Sequence, residues 1–214
     1  MRYFSHLWLA LFVLGIDLGS CHADDGFRKL FDGKTLDGWR GDTNFWSVID
    51  GAIVGNTKPN GMKKNTFLIA NGEYADFVLR AKCKLTNGAS GIQFRSRPLN
   101  DKREDQYRVT GYQADIDHGG SMGEFYEEKG RGVLVRANAE VLKRFVKKDG
   151  WNNFEIRMIG DEGVIKVNGH ITSRYKEKKK QIPRSGFIAL QLQAGGGMEI
   201  AFKDIEIREI DPDA

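Results

Sequence analysis

The alternation of hydrophobic and polar residues predicts a chain built almost entirely from β-strands. In the segment 77–85, apolar residues occupy the odd positions and mostly basic residues the even ones. A period of two is typical of a strand with one buried face. Similar short runs recur between glycine-containing turns, and we count roughly a dozen of them. Only the segment 137–146 is compatible with one or two helical turns, so the pattern predicts an all-β fold.

Two dipeptides predict tight hairpins, and a change of parity predicts a bulge. Asp50–Gly51 and Asn168–Gly169 each separate two short apolar runs. Such pairs favour two-residue turns, because they tolerate a positive φ. Near the C-terminus the apolar set moves from the even position Phe202 to the odd position Ile205. One extra residue between them, at 203–204, would account for the change.

Length and composition are consistent with one folded unit. The chain has 214 residues, of which 40% are hydrophobic and 29% charged, with 26 glycines and 4 prolines. These values exclude a disordered tail and a membrane protein with several spans. Frequent glycine between strand-like runs favours a β-sandwich over a helical bundle. We therefore expect a signal peptide at residues 1–23 and a single-domain β-sandwich at 24–214.

The N-terminus has the pattern of an export signal. Arg2 supplies a positive start, an apolar run covers 7–14, and Asp17 closes that run. The run is too short for a comfortable membrane span. Two outcomes are open: cleavage after Ala23 gives a soluble exported protein, and lipidation of Cys21 gives a lipid anchor. In either case we expect a periplasmic or extracellular location.

Two further features have ordinary interpretations. Cys83 falls on the apolar side of its strand, so a packed thiol is favoured over a nucleophile. The formal net charge is +4, and the densest basic run is 174–180. A polyanion or a membrane surface would suit that run, but a solvated loop is the simpler interpretation. No nucleic-acid partner is expected, because basic and aromatic residues are not interleaved over several strands.

Polar residues recur on one side of three predicted strands. Residues 91–97, 111–117 and 188–193 each place apolar side chains on one face and hydrogen-bonding side chains on the other. The residues on the polar faces are Gln93, Arg95, Gln113, Asp115, Asp117, Gln191 and Gln193. If the three strands share a sheet, these groups form one surface. Amides, carboxylates and a guanidinium suit a ligand rich in hydroxyl groups, so we predict a sugar site.

The segment after the second of these strands, 118–132, is predicted to be a long functional loop or an irregular hairpin. It adds acidic, aromatic and histidine candidates, namely His118, Glu124, Tyr126, Glu127 and Glu128. Cleavage of a sugar bond commonly uses two carboxyl groups, and we pair Asp115 with Glu127 or Glu124. His118 suits a base or a metal ligand, and equally an ordinary exposed histidine. A divalent metal stays compatible with the sequence, although no familiar metal-binding spacing is present.

Several stretches resemble the bacterial 3-keto-disaccharide hydrolase domain family. The similarity covers about residues 26–210, and the order and spacing of the stretches carry it. The matching stretches are 31–39, 46–55, 76–79, 90–96, 111–116, 151–156 and 185–193. The resemblance implies a concanavalin-like jelly-roll sandwich and a substrate that is an oligosaccharide or glycoside oxidised at carbon 3 of the sugar.

The resemblance also suggests a mechanism. A ketone at carbon 3 acidifies the hydrogen on carbon 2, so a base can remove it and the substituent on carbon 1 can leave. From residue type, we expect Asp115 or His118 as the base and Arg95 or a bound cation as the stabiliser of the enolate. The acid is Tyr126 or Glu127. The alternative is a lectin-like module that binds carbohydrate without cleaving it, because sandwich folds host both activities.

Overall fold

The structure is a computed structural model that describes residues 25–211, so the predicted signal peptide, including Cys21, lies outside the described residues. One short helix, α1 (Ala139–Phe145), and a 3-10 turn (Arg103–Asp105) accompany the strands. The strands are β1 (Arg28–Lys29), β2 (Trp39–Arg40), β3 (Trp46–Ile49), β4 (Ala52–Asn56), β5 (Thr66–Ala70), β6 (Phe77–Asn87), β7 (Ser90–Pro98), β8 (Val109–Ile116), β9 (Phe125–Glu128), β10 (Gly132–Val135), β11 (Asn152–Ile159), β12 (Glu162–Val167), β13 (His170–Lys176), β14 (Phe187–Leu192) and β15 (Glu199–Glu209).

The strands form two antiparallel sheets. One has seven strands in the order β10-β9-β8-β7-β14-β5-β2. The other has eight strands, in the order β13-β12-β11-β6-β15-β4-β3 with β1 paired to β15. Strands distant in sequence are neighbours in both sheets, which is typical of a jelly-roll sandwich. The all-β, jelly-roll prediction is confirmed.

The core lies between the two sheets and is made by the alternation that the sequence displays. Along β6 the apolar odd positions are all buried, including Cys83. Burial raises the pKa of the Cys83 thiol, because the thiolate would lose its hydration. Phe94 of β7 packs edge-on against Phe125 of β9, with ring centroids 5.4 Å apart. Cys83 is therefore a packing residue, as predicted.

Local predictions are confirmed at both hairpins and at the bulge. The strands β3 and β4 pair across Asp50–Gly51, and β12 and β13 pair across Asn168–Gly169. Asp50 and Asn168 both have positive φ angles, near 50°. The register of β15 against β6 shifts between Lys203 and Glu206, which is the predicted bulge.

The basic run 174–180 differs from the prediction of a solvated loop. Its first three residues belong to β13, and Glu177 is buried beside Arg131. The irregular hairpin predicted within 118–132 is present as the pair β9 and β10. No helix in residues 25–211 is long and apolar enough to cross a membrane.

Candidate active site

The three polar strands lie side by side, as the sequence predicts. In the seven-stranded sheet β14, β7, β8 and β9 are consecutive. Ala189, Gln93, Gln113 and Tyr126 are directly opposed from strand to strand. Residues that oppose each other in antiparallel strands point to the same face. One row of side chains therefore crosses four strands on the face turned away from the core.

A cleft of about 480 Å³ opens on this face. It is lined by amide, hydroxyl and carboxyl groups together with two alanines. The lining residues are Asn65, Ala89, Ser90, Gln113, Asp115, Asp117, Ser121, Tyr126, Glu128, Gln191, Gln193 and Ala194. Six candidates from the sequence besides Asp115 are among them: Gln113, Asp117, Tyr126, Glu128, Gln191 and Gln193. No Lys, Arg or His of the described chain lines this cleft.

A network of side-chain amides lies under the cleft. Gln113 donates through Nε2 to Oδ1 of Asp115 at 2.6 Å and to Oε1 of Gln191 at 3.3 Å. Gln93 donates through Nε2 to Oε1 of Gln113 at 2.7 Å. Gln93 is fully buried and Gln191 nearly so. Gln93 was predicted to face the ligand, but it does not line the cleft and contacts Gln113 instead.

Asp115 has the most perturbed acidity in the cleft. Burial raises the pKa of its carboxyl group to about 7, and the neighbouring charges of Glu124, Glu128 and Asp117 act in the same direction. The hydrogen bond from Gln113 favours the ionised form and offsets part of this effect. A carboxyl group with this pKa exchanges protons at neutral pH, as a general base or acid requires.

Two further residues line the cleft: Glu128, which was a candidate without an assigned role, and Asn65, which was not predicted. Asn65 donates through Nδ2 to Oε1 of Glu128 at 3.2 Å and accepts the backbone N–H of Ala194. Burial raises the pKa of the Glu128 carboxyl group. Glu128 shares the face of Tyr126, so the alternation that places Phe125 in the core directs Glu128 to the cleft. Asn65 precedes β5, and no local pattern singles it out.

Glu127 was wrongly assigned to the site. It opposes Tyr112, a buried residue, and so lies on the face of β9 opposite the cleft. Its carboxylate accepts hydrogen bonds from the backbone and the guanidinium of Arg131. These bonds hold the pKa of Glu127 below its usual value against the effect of burial. It is a structural ion-pair partner rather than a candidate acid.

Arg95 is also absent from the cleft. Its φ is +48°, and the register of β7 against β8 shifts between Phe94 and Arg97. This bulge breaks the alternation on which the prediction rested. The side chain is only 2% exposed and donates to Oδ1 of Asp76 at 2.7 Å and to the carbonyls of Ala75 and Gly160. Arg95 therefore fixes the bulge and cannot stabilise an enolate in the cleft.

The remaining candidates lie at the margins. A ring nitrogen of His118 is 3.2 Å from the carbonyl oxygen of Leu85, and His118 does not line the cleft, so the geometry does not support a role as base. Glu124 is buried behind Asp115 and pairs with Arg136. Asp117 accepts from the backbone of Gly119 and the hydroxyl of Ser121 at the rim. Among residues 25–211, no group of three or more His, Cys, Asp or Glu side chains is arranged to hold a metal ion.

Some polar groups in the cleft keep free bonding capacity. Both N–H groups of the Gln113 amide are used, by Asp115 and Gln191. In contrast, no described residue makes a hydrogen bond to Nε2 of Gln191 or to the Tyr126 hydroxyl. The exposed Gln193 lines the rim. These groups are suited to bind a hydroxyl-rich ligand, with Gln113 and Gln93 supporting them.

Comparison with known proteins assigns the chain to a family. The family model described as the 3-keto-alpha-glucoside-1,2-lyase-like domain matches residues 26–208. A curated relative, the 3-keto-disaccharide hydrolase of Bacteroides thetaiotaomicron, is 31% identical over 90 residues. The aligned part covers 38% of this chain and 31% of that protein, so the chain spans about a third of the relative's length.

Solved structures share the fold at low sequence identity. The carbohydrate-binding module CBM66 from Bacillus subtilis has a TM-score of 0.60 at 14% identity, covering 80% of this chain and 96% of the module. A Bacillus subtilis protein of unknown function with a galectin-like fold has a TM-score of 0.63 at 10% identity, with 81% and 90% covered. These likenesses show the sandwich alone. The family match over nearly the whole described chain goes further, and the chain belongs to the 3-keto-alpha-glucoside-1,2-lyase-like domain family.

Proposed function

We propose that the chain cleaves glycosides that carry a ketone at carbon 3 of the sugar, in the cleft around Asp115. Membership of the family and the name of the Bacteroides relative support a glycoside-processing role. The observation that carries the proposal is the Asp115 carboxyl group, which has a pKa of about 7 and lies in a polar cleft large enough for a sugar ring.

The reaction proceeds by elimination followed by addition of water. A base takes the proton from carbon 2, and the electrons of that C–H bond form the C2=C3 double bond of an enolate, with the negative charge on the carbon-3 oxygen. When the carbon-3 ketone forms again, the C2=C3 electrons move to a C1=C2 double bond and the C1–O bond breaks. The leaving oxygen receives a proton from an acid. Water then adds at carbon 1, with its proton returned to carbon 2. The net change is hydrolysis of the glycosidic bond, with no external oxidant or reductant.

Asp115 is the proposed base and Tyr126 the proposed acid. A base with a pKa near 7 combines the greatest basicity with substantial ionisation at neutral pH. The pKa of the Tyr126 hydroxyl is raised by burial and by the charges of Glu128 and Asp115, so this group stays protonated. The charge of Glu128 contributes to the basicity of Asp115, and Asn65 holds Glu128 in place.

A neutral group donates the proposed hydrogen bond to the enolate oxygen. With Arg95 held elsewhere, the free amide N–H of Gln191 is the proposed hydrogen-bond donor to it. A preorganised neutral donor in a half-buried cleft stabilises developing negative charge without solvent reorganisation. No step of the proposal uses a metal ion.

The test is incubation with a 3-keto-disaccharide and, separately, with its unoxidised parent. We expect release of monosaccharide from the first substrate only. Asp115→Asn should lower kcat by at least about 100-fold, because an amide cannot accept the proton. Glu127→Gln is the matched control: it changes a carboxylate on the opposite face of the sheet and should leave kcat within about twofold.

Two outcomes would contradict the proposal. Equal turnover by Asp115→Asn and the unmodified chain would exclude Asp115 as the base. Binding of both sugars without release of product would favour the carbohydrate-binding module instead.

We also propose that the chain is exported, on the basis of the pattern in residues 1–23. Expression of the full chain in a Gram-negative host, followed by fractionation, should place it outside the cytoplasm. Cys21→Ser distinguishes the two routes. It should release a lipid-anchored form from the membrane fraction and leave a soluble form unchanged. Retention of the full chain in the cytoplasm would contradict export.

A further inference from the structure

Two buried residues beneath the cleft form a positioning device. We propose that Ser96 and Gln93 act through Gln113 to hold Asp115 in its working orientation. This inference rests on the proposed function, because Asp115 is the proposed base. Neither Ser96 nor Gln93 has any exposed surface, so no sugar in the cleft can touch either one.

The hydrogen bonds run in one direction. Ser96 donates through its hydroxyl to Oε1 of Gln93 at 3.0 Å. Gln93 donates through Nε2 to Oε1 of Gln113 at 2.7 Å. Gln113 then donates through Nε2 to Asp115. Each amide receives at its oxygen and donates from its nitrogen, so the chain ends with an N–H directed at the carboxyl group.

The direction follows from the chemistry of the carboxylate end. An ionised carboxylate only accepts hydrogen bonds, so the Gln113 amide has to present nitrogen to Asp115. Its oxygen then faces Gln93, which in turn has to present nitrogen. The Ser96 hydroxyl, which can donate or accept, donates to the Gln93 oxygen and so adds a hydrogen bond to the orientation that Asp115 sets. If either amide were flipped, two oxygens would face each other without a proton between them.

The backbone is shaped to accommodate this chain. The bulge at Arg95 brings the Ser96 hydroxyl within reach of the side chain three residues earlier. A Cβ at position 91 would collide with the Gln113 side chain, so glycine leaves it room beside Asp115. A Cβ at Gly111 would lie 2.8 Å from the Ser96 Cα. The bulge at Arg95 and the glycines at 91 and 111 thus all accommodate the same row of hydrogen bonds.

The experiment titrates Asp115 directly by carbon NMR in the full chain carrying labelled aspartate. Asp115→Asn identifies its signal. In Gln93→Leu the Gln113 amide loses its fixed orientation, and the ionised form of Asp115 loses part of its hydrogen bonding. We expect its titration midpoint to move upward by about one pH unit. Ser96→Ala should move it in the same direction by less.

Asn152→Leu is the matched control. Asn152 is a buried amide that bonds to the backbone of Lys147 and Gly150, with no link to Asp115. It should reduce stability without moving the midpoint. An unchanged midpoint in folded Gln93→Leu, or an equal shift in Asn152→Leu, would overturn the inference. If Gln93→Leu does not fold, Ser96→Ala decides by the same criterion.

The titration needs no substrate, so it separates the two proposals. A shifted midpoint in a chain that does not cleave keto-glycosides would retain the positioning role and reject the proposed function. An unshifted midpoint in a chain that cleaves keto-glycosides would reject the positioning role and retain the proposed function.

Discussion

At the scale of single residues, what a polar group does is decided by which of its bonds are already used. Gln113 and Gln191 occupy equivalent outward positions in their strands, yet Gln113 donates with both its N–H groups to protein oxygens. Gln191 keeps its amide nitrogen available to a ligand. Alternation could predict that both face the cleft. It could not predict the difference, because that depends on side chains from three separate strands.

The acidity of Asp115 predicts the pH dependence of cleavage. A general base works when deprotonated, so kcat/KM should fall about tenfold per pH unit below pH 7 and level off above it. Initial rates at low substrate concentration from pH 5 to 9 measure this profile. Glu127→Gln should give the same curve. Activity that falls as pH rises through 7 would instead make Asp115 the acid.

Arg95 was predicted to bind substrate because of its guanidinium, but the structure places this group away from the cleft, where it pairs with Asp76. An Arg→Leu change removes the guanidinium that faces the Asp76 carboxylate and two carbonyl oxygens. We expect Arg95→Leu to lower the free energy of unfolding by about 3 kcal/mol or more, since it leaves a partly buried charge without its partner. Urea titration measures the loss. If Arg95→Leu lost turnover without losing stability, Arg95 would have to take part in catalysis.

At the scale of elements, β9 contributes side chains to both faces of its sheet. Tyr126 and Glu128 point into the cleft, whereas Phe125 and Glu127 point to the opposite side. The period of two contains this split, but the sequence analysis did not place Phe125 in the core and therefore assigned Glu127 to the wrong face. The bulge in β7 was not predictable in the same way, because it depends on Asp76 and Gly160, which are distant in sequence.

The end of β13 is tied to the β9–β10 hairpin through Glu177. Its carboxylate accepts from Tyr112 at 2.5 Å, from Arg131 at 2.7 Å and from Tyr175 at 3.1 Å. Burial opposes its ionisation, but these bonds outweigh that effect and lower the pKa of Glu177 to about 2. The ion pair connects the eight-stranded sheet to the seven-stranded one.

This connection should make stability sensitive to acid. The folded pKa of Glu177 lies below the unfolded value of about 4.3, so its contribution is present above that value and is lost as pH falls towards 2. Glu177→Gln should be less stable by about 2 kcal/mol at pH 7 and should approach the unmodified chain near pH 2. Thermal melting across this range measures the difference. A deficit that does not change with pH would show that the carboxylate charge is unimportant.

At the scale of the whole molecule, the sandwich follows from local patterns, and its strand order does not. The all-β character, the two hairpins and the polar faces of β8 and β14 were visible in the sequence, whereas the faces of Arg95 and Glu127 were not. The neighbours of each strand are set by which faces pack together, and the family resemblance implied only the jelly-roll architecture. The cleft depends on that order, because Gln113, Gln191 and Asn65 meet only when β8, β14 and the approach to β5 lie in one sheet.

The final described strand, β15, makes many of the strand pairings and core contacts of the larger sheet. β15 pairs with β6 along one edge and with β4 and β1 along the other. It buries four large apolar side chains, Ile200, Phe202, Ile205 and Ile207. At about 1.5–3 kcal/mol each, their loss would remove much of the 5–15 kcal/mol that stabilises a typical domain.

A chain shortened to end at Met198 should therefore not fold. Circular dichroism and amide NMR should show no cooperative melting and little dispersion. A chain shortened to end at Asp211 keeps all the described strands and should melt like the full chain. A folded product from the shorter of these two chains would mean that β6 and β4 can close the sheet unaided.

The central place of β15 also bears on how the protein is made. During synthesis this strand emerges from the ribosome after the other described strands, so until then the nascent polypeptide lacks the strand that joins the two halves of its larger sheet. Closure of that sheet is disfavoured until β15 has emerged. Under the proposed export through a channel that threads extended chains, this order of emergence prolongs the interval in which translocation can begin.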